Sequence, residues 1–153
     1  GSRFHIYLPC IKSPVEGQTE KRDIKGLKGT EHILAVDDEA VIVQMHKKML
    51  ESLGYRVTAS DSSEEAYRIF ADDPDQFDLL FTDMTMPGLS GADLTVKIRK
   101  IRSTVPVILC TGYSERINKE QAEAIGIDRF ILKPASKKEI TVAVREVLDN
   151  SKI

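Results

Sequence analysis

The sequence has few cysteines, no marked excess of either charge and no long apolar run. Its two cysteines, Cys10 and Cys110, form neither a CxxC motif nor a disulfide framework. Lys and Arg number 22 against 24 Asp and Glu, so the charge does not draw the chain to nucleic acid or to an anionic membrane. No apolar run approaches the roughly 20 residues of a membrane span, and the start lacks a secretory signal. We therefore expect a cytoplasmic protein that binds no nucleic acid.

The remaining composition is that of a globular protein with one domain. The chain has 153 residues, of which 41% are apolar and 30% are charged. Residues 1–9 alternate apolar and polar side chains as far as Pro9, which is the period of a strand with one buried face. Residues 10–30 contain three glycines and a proline without sustained periodicity, which is typical of a linker. The folded domain is expected to begin near Glu31.

From Glu31 onwards, short apolar strands alternate with amphipathic helices. The predicted strands are 32–36, 55–59, a run centred on Phe81, 106–110 and 128–132. The predicted helices are 39–53, one through Ala66–Phe70 capped by Ser62 or Ser63, one after Gly91 through Leu94–Ile101, 114–125 and 136–148. The core face of the first helix is predicted to be Ile42, Met45, Met49 and Leu53, with His46 solvated or packed. This alternation predicts an α/β fold whose parallel sheet is covered on both faces.

Four of the predicted strands lead into polar residues. Asp37 and Asp38 follow the first strand, Asp83 the third, Thr111 the fourth and Lys133 the fifth. Because the carboxyl ends of parallel strands share one edge of the sheet, we expect these side chains to lie together. Three neighbouring carboxylates repel one another and stay ionised only beside a compensating cation. A divalent ion that prefers oxygen ligands, such as Mg²⁺, suits such a site.

These groups match the requirements of phosphoryl transfer, with Asp83 as the nucleophile. The sequence shows no Ser-His pair and no activated cysteine, whereas a carboxylate can itself accept a phosphoryl group. Asp83 is the central candidate because it follows the middle strand, and Asp37 and Asp38 are the predicted metal ligands.

Four further groups are predicted to hold the phosphoryl oxygens. Lys133 supplies a positive charge and Thr111 a hydroxyl donor. The backbone N–H groups of Met84, directly after Asp83, and of Gly112 are expected to complete an anion cradle. Gly112 also leaves room for a reactant to approach.

The sequence resembles the receiver domain of two-component response regulators over about residues 31–150. The motifs that carry the resemblance are Asp37-Asp38-Glu39, Asp83 with Met86-Pro87-Gly88, Thr111-Gly112 and Lys133-Pro134. The resemblance implies a flavodoxin-like (βα)5 fold with strand order 2-1-3-4-5. It also implies that Asp83 takes a phosphoryl group from the phosphohistidine of a histidine kinase or of a histidine phosphotransfer protein. The domain would then catalyse its own phosphorylation.

The resemblance further implies how the site is built and how it signals. Mg²⁺ would be bound by Asp38 and Asp83 directly, by Asp37 through water and by the backbone carbonyl of Thr85. The Lys133–Pro134 bond would be cis. Thr111 would move towards the phosphoryl group, and an aromatic residue of the fifth strand would turn inward.

The residue at that switch position is Phe130, where the family commonly has Tyr, so a hydrogen-bonded readout of the inward state is lost. A homodimer would form through the fourth helix, fifth strand and fifth helix, or through the strand of residues 1–9.

Residues 1–9 resemble the last strand of a histidine-kinase ATP-binding domain. With the linker 10–30 and the receiver 31–153, this layout is that of a hybrid sensor histidine kinase, whether membrane-bound or not. We expect Phe4–Leu8 to be disordered or paired with another chain, because an unpartnered apolar strand is adhesive.

Three alternatives remain open from the sequence. The first is a metal-dependent phosphohydrolase that uses Asp83 as nucleophile, although Thr85 stands where such enzymes usually place a second acid. The second is a flavodoxin-like binding module without phosphorylation. The third is a free-standing response regulator with a single domain.

Overall fold

The computed structural model describes residues 27–112 and 125–151, which contain a five-stranded parallel sheet. The strands are β1 (His32–Val36), β2 (Arg56–Ser60), β3 (Leu79–Asp83), β4 (Val107–Thr111) and β5 (Arg129–Leu132). Their spatial order is β2-β1-β3-β4-β5, and every pairing is parallel. The flavodoxin-like order predicted from the sequence is confirmed. Because β3 is the central strand, its last residue, Asp83, lies in the middle of the carboxyl edge.

Four α-helices are described in full. They are α1 (Ala40–Glu51), α2 (Ser63–Asp72), α3 (Gly91–Ile101) and α4 (Lys137–Asn150), and a 3-10 helix spans Pro74–Gln76. The helix α4 is the fifth predicted helix, since the predicted helix 114–125 lies outside the described residues except for Ile125. Ser62, Ser90 and Ser136 each accept a backbone N–H at the start of a helix, which stabilises it by about 1 kcal/mol. In the part of the chain that the structure describes, no helix is both long and apolar enough to cross a bilayer.

Two apolar layers enclose the sheet. Residues of α1 and α4 pack on one face, where Val43, Leu50 and Val144 join the β-strand side chains. Residues of α2 and α3, among them Phe70 and Ile98, pack on the other face. All five residues of β3 are buried because both layers cover this central strand. The nearly continuous apolar character of the strands therefore reflects burial on both faces.

Several element boundaries differ from the prediction by one or two residues. The strands β2 and β4 begin and end one residue later than predicted, β5 begins one residue later, and α1 is shorter at both ends. The Tyr55 N–H bonds to the Leu50 carbonyl in the turn after α1, which keeps Tyr55 out of the β2 ladder. Pro106 has no N–H, so only its carbonyl takes part in pairing, with the Leu80 N–H. At the other end of the strand, β4 ends at Thr111. This residue is therefore part of β4, whereas the prediction placed it after the strand.

The predicted core face of this helix is correct at Leu53, which is buried just after α1, and wrong at Met45, which is 53% exposed. Ile42 and Met49 are half-buried. The buried residues within α1 are Val43, His46 and Leu50, a stripe displaced by one residue that has nearly the same helical spacing. Ile101, predicted on the core stripe of its helix, is also exposed, because it lies at the end of α3.

The chain already contacts the domain before β1. The N–H of Gly29, in the predicted linker, bonds to the Leu53 carbonyl at 3.2 Å, and a Cβ at Gly29 would overlap the Tyr55 ring. The predicted strand 1–9 and most of the linker 10–30 lie outside the described residues.

Candidate functional site

The central strand delivers Asp83 to the carboxyl edge in a fixed orientation. The residue is 8% exposed, and its two carboxylate oxygens have different partners. Oδ1 lies 2.7 Å from the Lys133 ammonium, and Oδ2 accepts the Thr85 N–H at 3.1 Å. A carboxylate held at both oxygens has a defined direction of approach for an electrophile.

Lys133 bridges two carboxylates. It follows β5, where its N–H donates to the Thr111 carbonyl at 2.8 Å, and the Lys133–Pro134 bond is cis, as the resemblance implied. Its ammonium contacts both Asp83 and Asp37, the latter at 2.9 Å. Burial lowers the pKa of Lys133, but the hydrogen bonds to the two carboxylates outweigh it, so the pKa is raised above its usual value. The side chain is therefore a permanent cation at this edge.

Asp37 and Asp38 occupy different environments although they are adjacent. Asp37 is 2% exposed, and its Oδ1 accepts the Glu39 N–H at 3.0 Å. Asp38 is exposed at the rim. Within residues 27–112 and 125–151, no three acidic, His or Cys side chains are grouped closely enough to share one ion. The Lys133 ammonium supplies one compensating cation, which pairs with both Asp37 and Asp83.

The structure changes one member of the predicted anion cradle. The Met84 N–H is not directed at Asp83, because it continues the pairing of β3 with β4 by donating to the Cys110 carbonyl at 2.8 Å. The next N–H, that of Thr85, faces the carboxylate instead. The sequence analysis gave the Thr85 backbone a role only through its carbonyl, as a metal ligand. The register of β3 against β4 decides which N–H turns inward, and the sequence alone does not show that register.

The other two predicted cradle residues, Thr111 and Gly112, lie at the carboxyl end of β4. Thr111 is buried at the end of β4, and its hydroxyl is 3.3 Å from the Gly112 carbonyl. Among the described residues, none lies within 4 Å of a Cβ placed at Gly112, so none of them fills the space beside this residue.

Thr111 and Phe130 share one face of the sheet. Phe130 pairs with Leu109, two residues before Thr111, so the two are diagonal neighbours on adjacent strands. Phe130 is half-buried and packs against the layer formed by α2 and α3. The geometry allows a movement of Thr111 to alter the packing of Phe130.

Gly91 meets a steric requirement beside the site that the sequence reasoning missed. A Cβ at this position would overlap the Asp83 carbonyl oxygen and press on Leu109. The Gly91 N–H donates to the Met84 carbonyl at 2.9 Å, which closes the base of the loop between β3 and α3. Only glycine lets the start of α3 approach Asp83 this closely.

His46 of α1 is buried beside this site. Its ring meets the Phe81 ring edge-on, with centroids 5.1 Å apart. Burial lowers the pKa of His46, Asp37 opposes that shift, and Lys133 adds to it. The imidazole also lines a cavity of about 440 Å³ that Lys133 borders. His46 therefore belongs to the electrostatic environment of Asp83.

Comparison with known proteins agrees with this geometry. The family model for the response regulator receiver domain matches residues 33–145. The chain is 35% identical over 118 residues to the phosphate regulon transcriptional regulatory protein PhoB of Pseudomonas aeruginosa, covering 76% of this chain and 51% of that protein. It is 29% identical over 121 residues to the response regulator SaeR of Staphylococcus aureus, covering 79% of this chain and 52% of that protein. The chain thus spans about half the length of these curated relatives.

Solved structures share the fold over nearly their whole length. A response regulator receiver domain protein from Clostridium thermocellum superposes with a TM-score of 0.75 at 34% identity, covering 80% of this chain and 97% of that one. A CheY-like receiver domain protein from Methanospirillum hungatei gives a TM-score of 0.73 at 28% identity, covering 81% and 98%. On the matched family model, the shared sheet order and these relatives, the chain belongs to the response regulator receiver domain family.

Proposed function

We propose that Asp83 is the phospho-acceptor of this receiver domain and that the donor is a phosphohistidine of a histidine kinase or of a phosphotransfer protein. The observation that carries the proposal is the setting of the Asp83 carboxylate. It ends the central strand, and it is fixed by Lys133 and by the Thr85 N–H.

The transfer needs a nucleophile and donors for the phosphoryl oxygens. An Asp83 oxygen forms the bond to phosphorus while the bond from phosphorus to the imidazole nitrogen breaks, and the electron pair returns to that nitrogen. Lys133 and the Thr85 N–H contact the Asp83 carboxylate and can stabilise charge on the transferred oxygens. Thr111, at the end of the neighbouring strand β4, is the proposed hydroxyl donor.

The donor set fits Mg²⁺. Asp37, Asp38 and Asp83 offer carboxylate oxygens and Thr85 offers its carbonyl, and Mg²⁺ commonly takes one or two carboxylates together with waters. Asp38 is exposed and accessible, whereas Asp37 is held by Lys133, which supports a direct ligand role for Asp38 and a water-mediated role for Asp37. When bound, Mg²⁺ would neutralise charge on the phosphoryl oxygens.

We further propose that the parent protein is a cytoplasmic or membrane-bound hybrid sensor histidine kinase. The pattern of residues 1–9 and the linker after it support this proposal. One relative, of which the match covers 51%, is named as a transcriptional regulatory protein, so the expected absence of a nucleic-acid partner applies to this chain alone. The predicted homodimer would use the helix 114–125 together with β5 and α4, or the strand of residues 1–9. That strand and most of that helix lie outside the described residues, so the homodimer stays a prediction.

Intact mass after incubation with Mg²⁺ and acetyl phosphate tests the acceptor role. The wild type and the control Asp72→Asn, which changes an exposed aspartate at the C-terminal end of α2, should each gain one phosphoryl group. Asp83→Asn should gain none. An adduct on Asp83→Asn would contradict the proposal. Absence of an adduct on the wild type together with absence of phosphate release would also contradict it, whereas release that depends on Asp83 would indicate rapid hydrolysis of the acyl phosphate.

A further inference from the structure

The loop between β3 and α3, residues 84–90, carries the backbone groups closest to Asp83. The Thr85 N–H is bonded to the Asp83 carboxylate, and the Thr85 carbonyl is the proposed metal ligand. Hydrogen bonds of Met84 with Cys110 and Gly91 close the base of this loop. The turn at Pro87–Gly88 lies beyond that base, so these bonds do not fix its position.

Ser63, the first residue of α2, contacts this turn. Its side chain is buried at 1% exposure. Its Oγ accepts the Leu89 N–H at 3.3 Å and can donate to the Pro87 carbonyl at 3.3 Å. It also lies 3.2 Å from Glu64 Oε2, an alternative acceptor for the same proton. A single hydroxyl therefore contacts the chain on both sides of Gly88.

The Glu64 carboxylate approaches the same turn. A Cβ at Gly88, whose φ is +77°, would overlap Glu64 Oε1. Met86 adds an apolar contact, because it is buried in the layer that α2 and α3 form. The N-terminus of α2 is thus packed closely against the turn.

The helix itself does not need the Ser63 hydroxyl. The N-cap of α2 is Ser62, whose side chain accepts the Glu65 N–H at 3.3 Å. A buried hydroxyl usually directs its bonds to groups that otherwise lack a partner. Outside its own helix, the Ser63 hydroxyl contacts Pro87 and Leu89, which both lie in the loop that follows Asp83.

We propose that Ser63 is a positioning residue of the phosphorylation site, which holds the β3–α3 loop so that Thr85 presents its N–H and carbonyl to Asp83 and the metal ion. The inference rests on the proposed function and adds a residue that touches neither phosphoryl group nor metal. Its effect passes through Pro87 and Leu89 to Thr85. Without the hydroxyl the turn is free to move, and the geometry around Thr85 loosens.

Two neighbouring serines provide a matched test in the full chain. Ser63→Ala removes the bonds to the loop and keeps the helix cap, whereas Ser62→Ala removes the cap and keeps the bonds to the loop. Mg²⁺ affinity is measured without any phosphodonor by following backbone amide resonances, and amide hydrogen exchange is measured at Leu89 and Thr85. Ser63→Ala should weaken Mg²⁺ binding by about fivefold, the effect of one lost hydrogen bond, and should speed exchange at both amides. Ser62→Ala should lower global stability and leave Mg²⁺ affinity unchanged.

The opposite results overturn the inference. One such result is that Ser63→Ala binds Mg²⁺ as tightly as the wild type does. The other is that Ser62→Ala loses as much Mg²⁺ affinity as Ser63→Ala. Either result would show that the Ser63 hydroxyl has no separate effect on the site. If Ser63→Ala does not fold, amide hydrogen exchange of the wild type provides the test. Fast exchange of the Leu89 amide in the wild type would contradict its hydrogen bond to Ser63. Acetyl phosphate added to the same samples separates the two proposals. An unreactive wild type overturns the acceptor role of Asp83, whereas the amide and Mg²⁺ measurements judge Ser63.

Discussion

The Lys133 ammonium lies between Asp83 and Asp37, at 2.7 Å from one carboxylate and 2.9 Å from the other. Both carboxylates are nearly buried, so neither has full access to water. One cation therefore compensates two anions, and these three groups together carry one net negative charge. A site with unbalanced negative charge and exposed Asp38 at its rim attracts a further cation.

Removing the Lys133 charge should destabilise the fold at neutral pH. Lys133→Met leaves two buried carboxylates without their cation, and breaking such a pair lowers the free energy of unfolding by about 3 kcal/mol. Urea unfolding of the variant and the wild type at neutral pH measures this difference.

The control for that change is Lys137→Met, at an exposed lysine whose ammonium lies 3.3 Å from Ser52 Oγ. This variant should unfold like the wild type. Equal stability of the two lysine variants at neutral pH would contradict the role given to Lys133.

A second ion pair anchors the chain before β1 to the last helix. Arg145 of α4 contacts Glu31 at 2.9 Å, and both side chains are almost buried, at 12% and 11% exposure. The pair Arg129–Glu146 is much more exposed and is separated by 3.6 Å. Double-mutant cycles with alanine should give a coupling above about 1 kcal/mol for Glu31–Arg145, and near zero for Arg129–Glu146, since solvent screens an exposed pair. Equal couplings would show that burial does not strengthen the first pair.

The fold was predictable because its signals are local and repeated. Each strand is a short apolar run such as that of β3, and the parallel order follows from the alternation with helices together with the family resemblance. The boundary where β4 begins was less predictable, because the pairing of Pro106 depends on the neighbouring strand β3.

The site was predictable to the level of which residues meet, because residues at the ends of parallel strands share one edge. Asp37, Asp83 and Lys133 are in contact, as that rule requires. Side-chain and amide directions were not predictable. The inward N–H belongs to Thr85 and not to Met84, and His46 is buried where periodicity alone favoured its neighbour Met45.

Burial of His46 should make the protein less stable in mild acid. Burial holds the pKa of this imidazole below its ordinary value of 6.5, Lys133 acts in the same direction, and Asp37 and Asp83 act against it. The unfolded chain therefore binds a proton near pH 6.5 while the folded chain does not. Stability linked to His46 is then complete above this pH and falls as the pH drops below it.

The measurement is urea unfolding of the wild type and His46→Leu at about pH 7.5 and about pH 5.5, where this histidine titrates in the unfolded chain. The wild type should lose more stability between the two conditions than His46→Leu, because leucine binds no proton in either state. The carboxylates titrate in both proteins, so the difference between the two losses isolates His46. A direct titration of the imidazole by NMR gives its folded pKa. A folded pKa at or above 6.5, or equal losses in the two proteins, would mean that Asp37 and Asp83 outweigh burial and that the pH dependence has another origin.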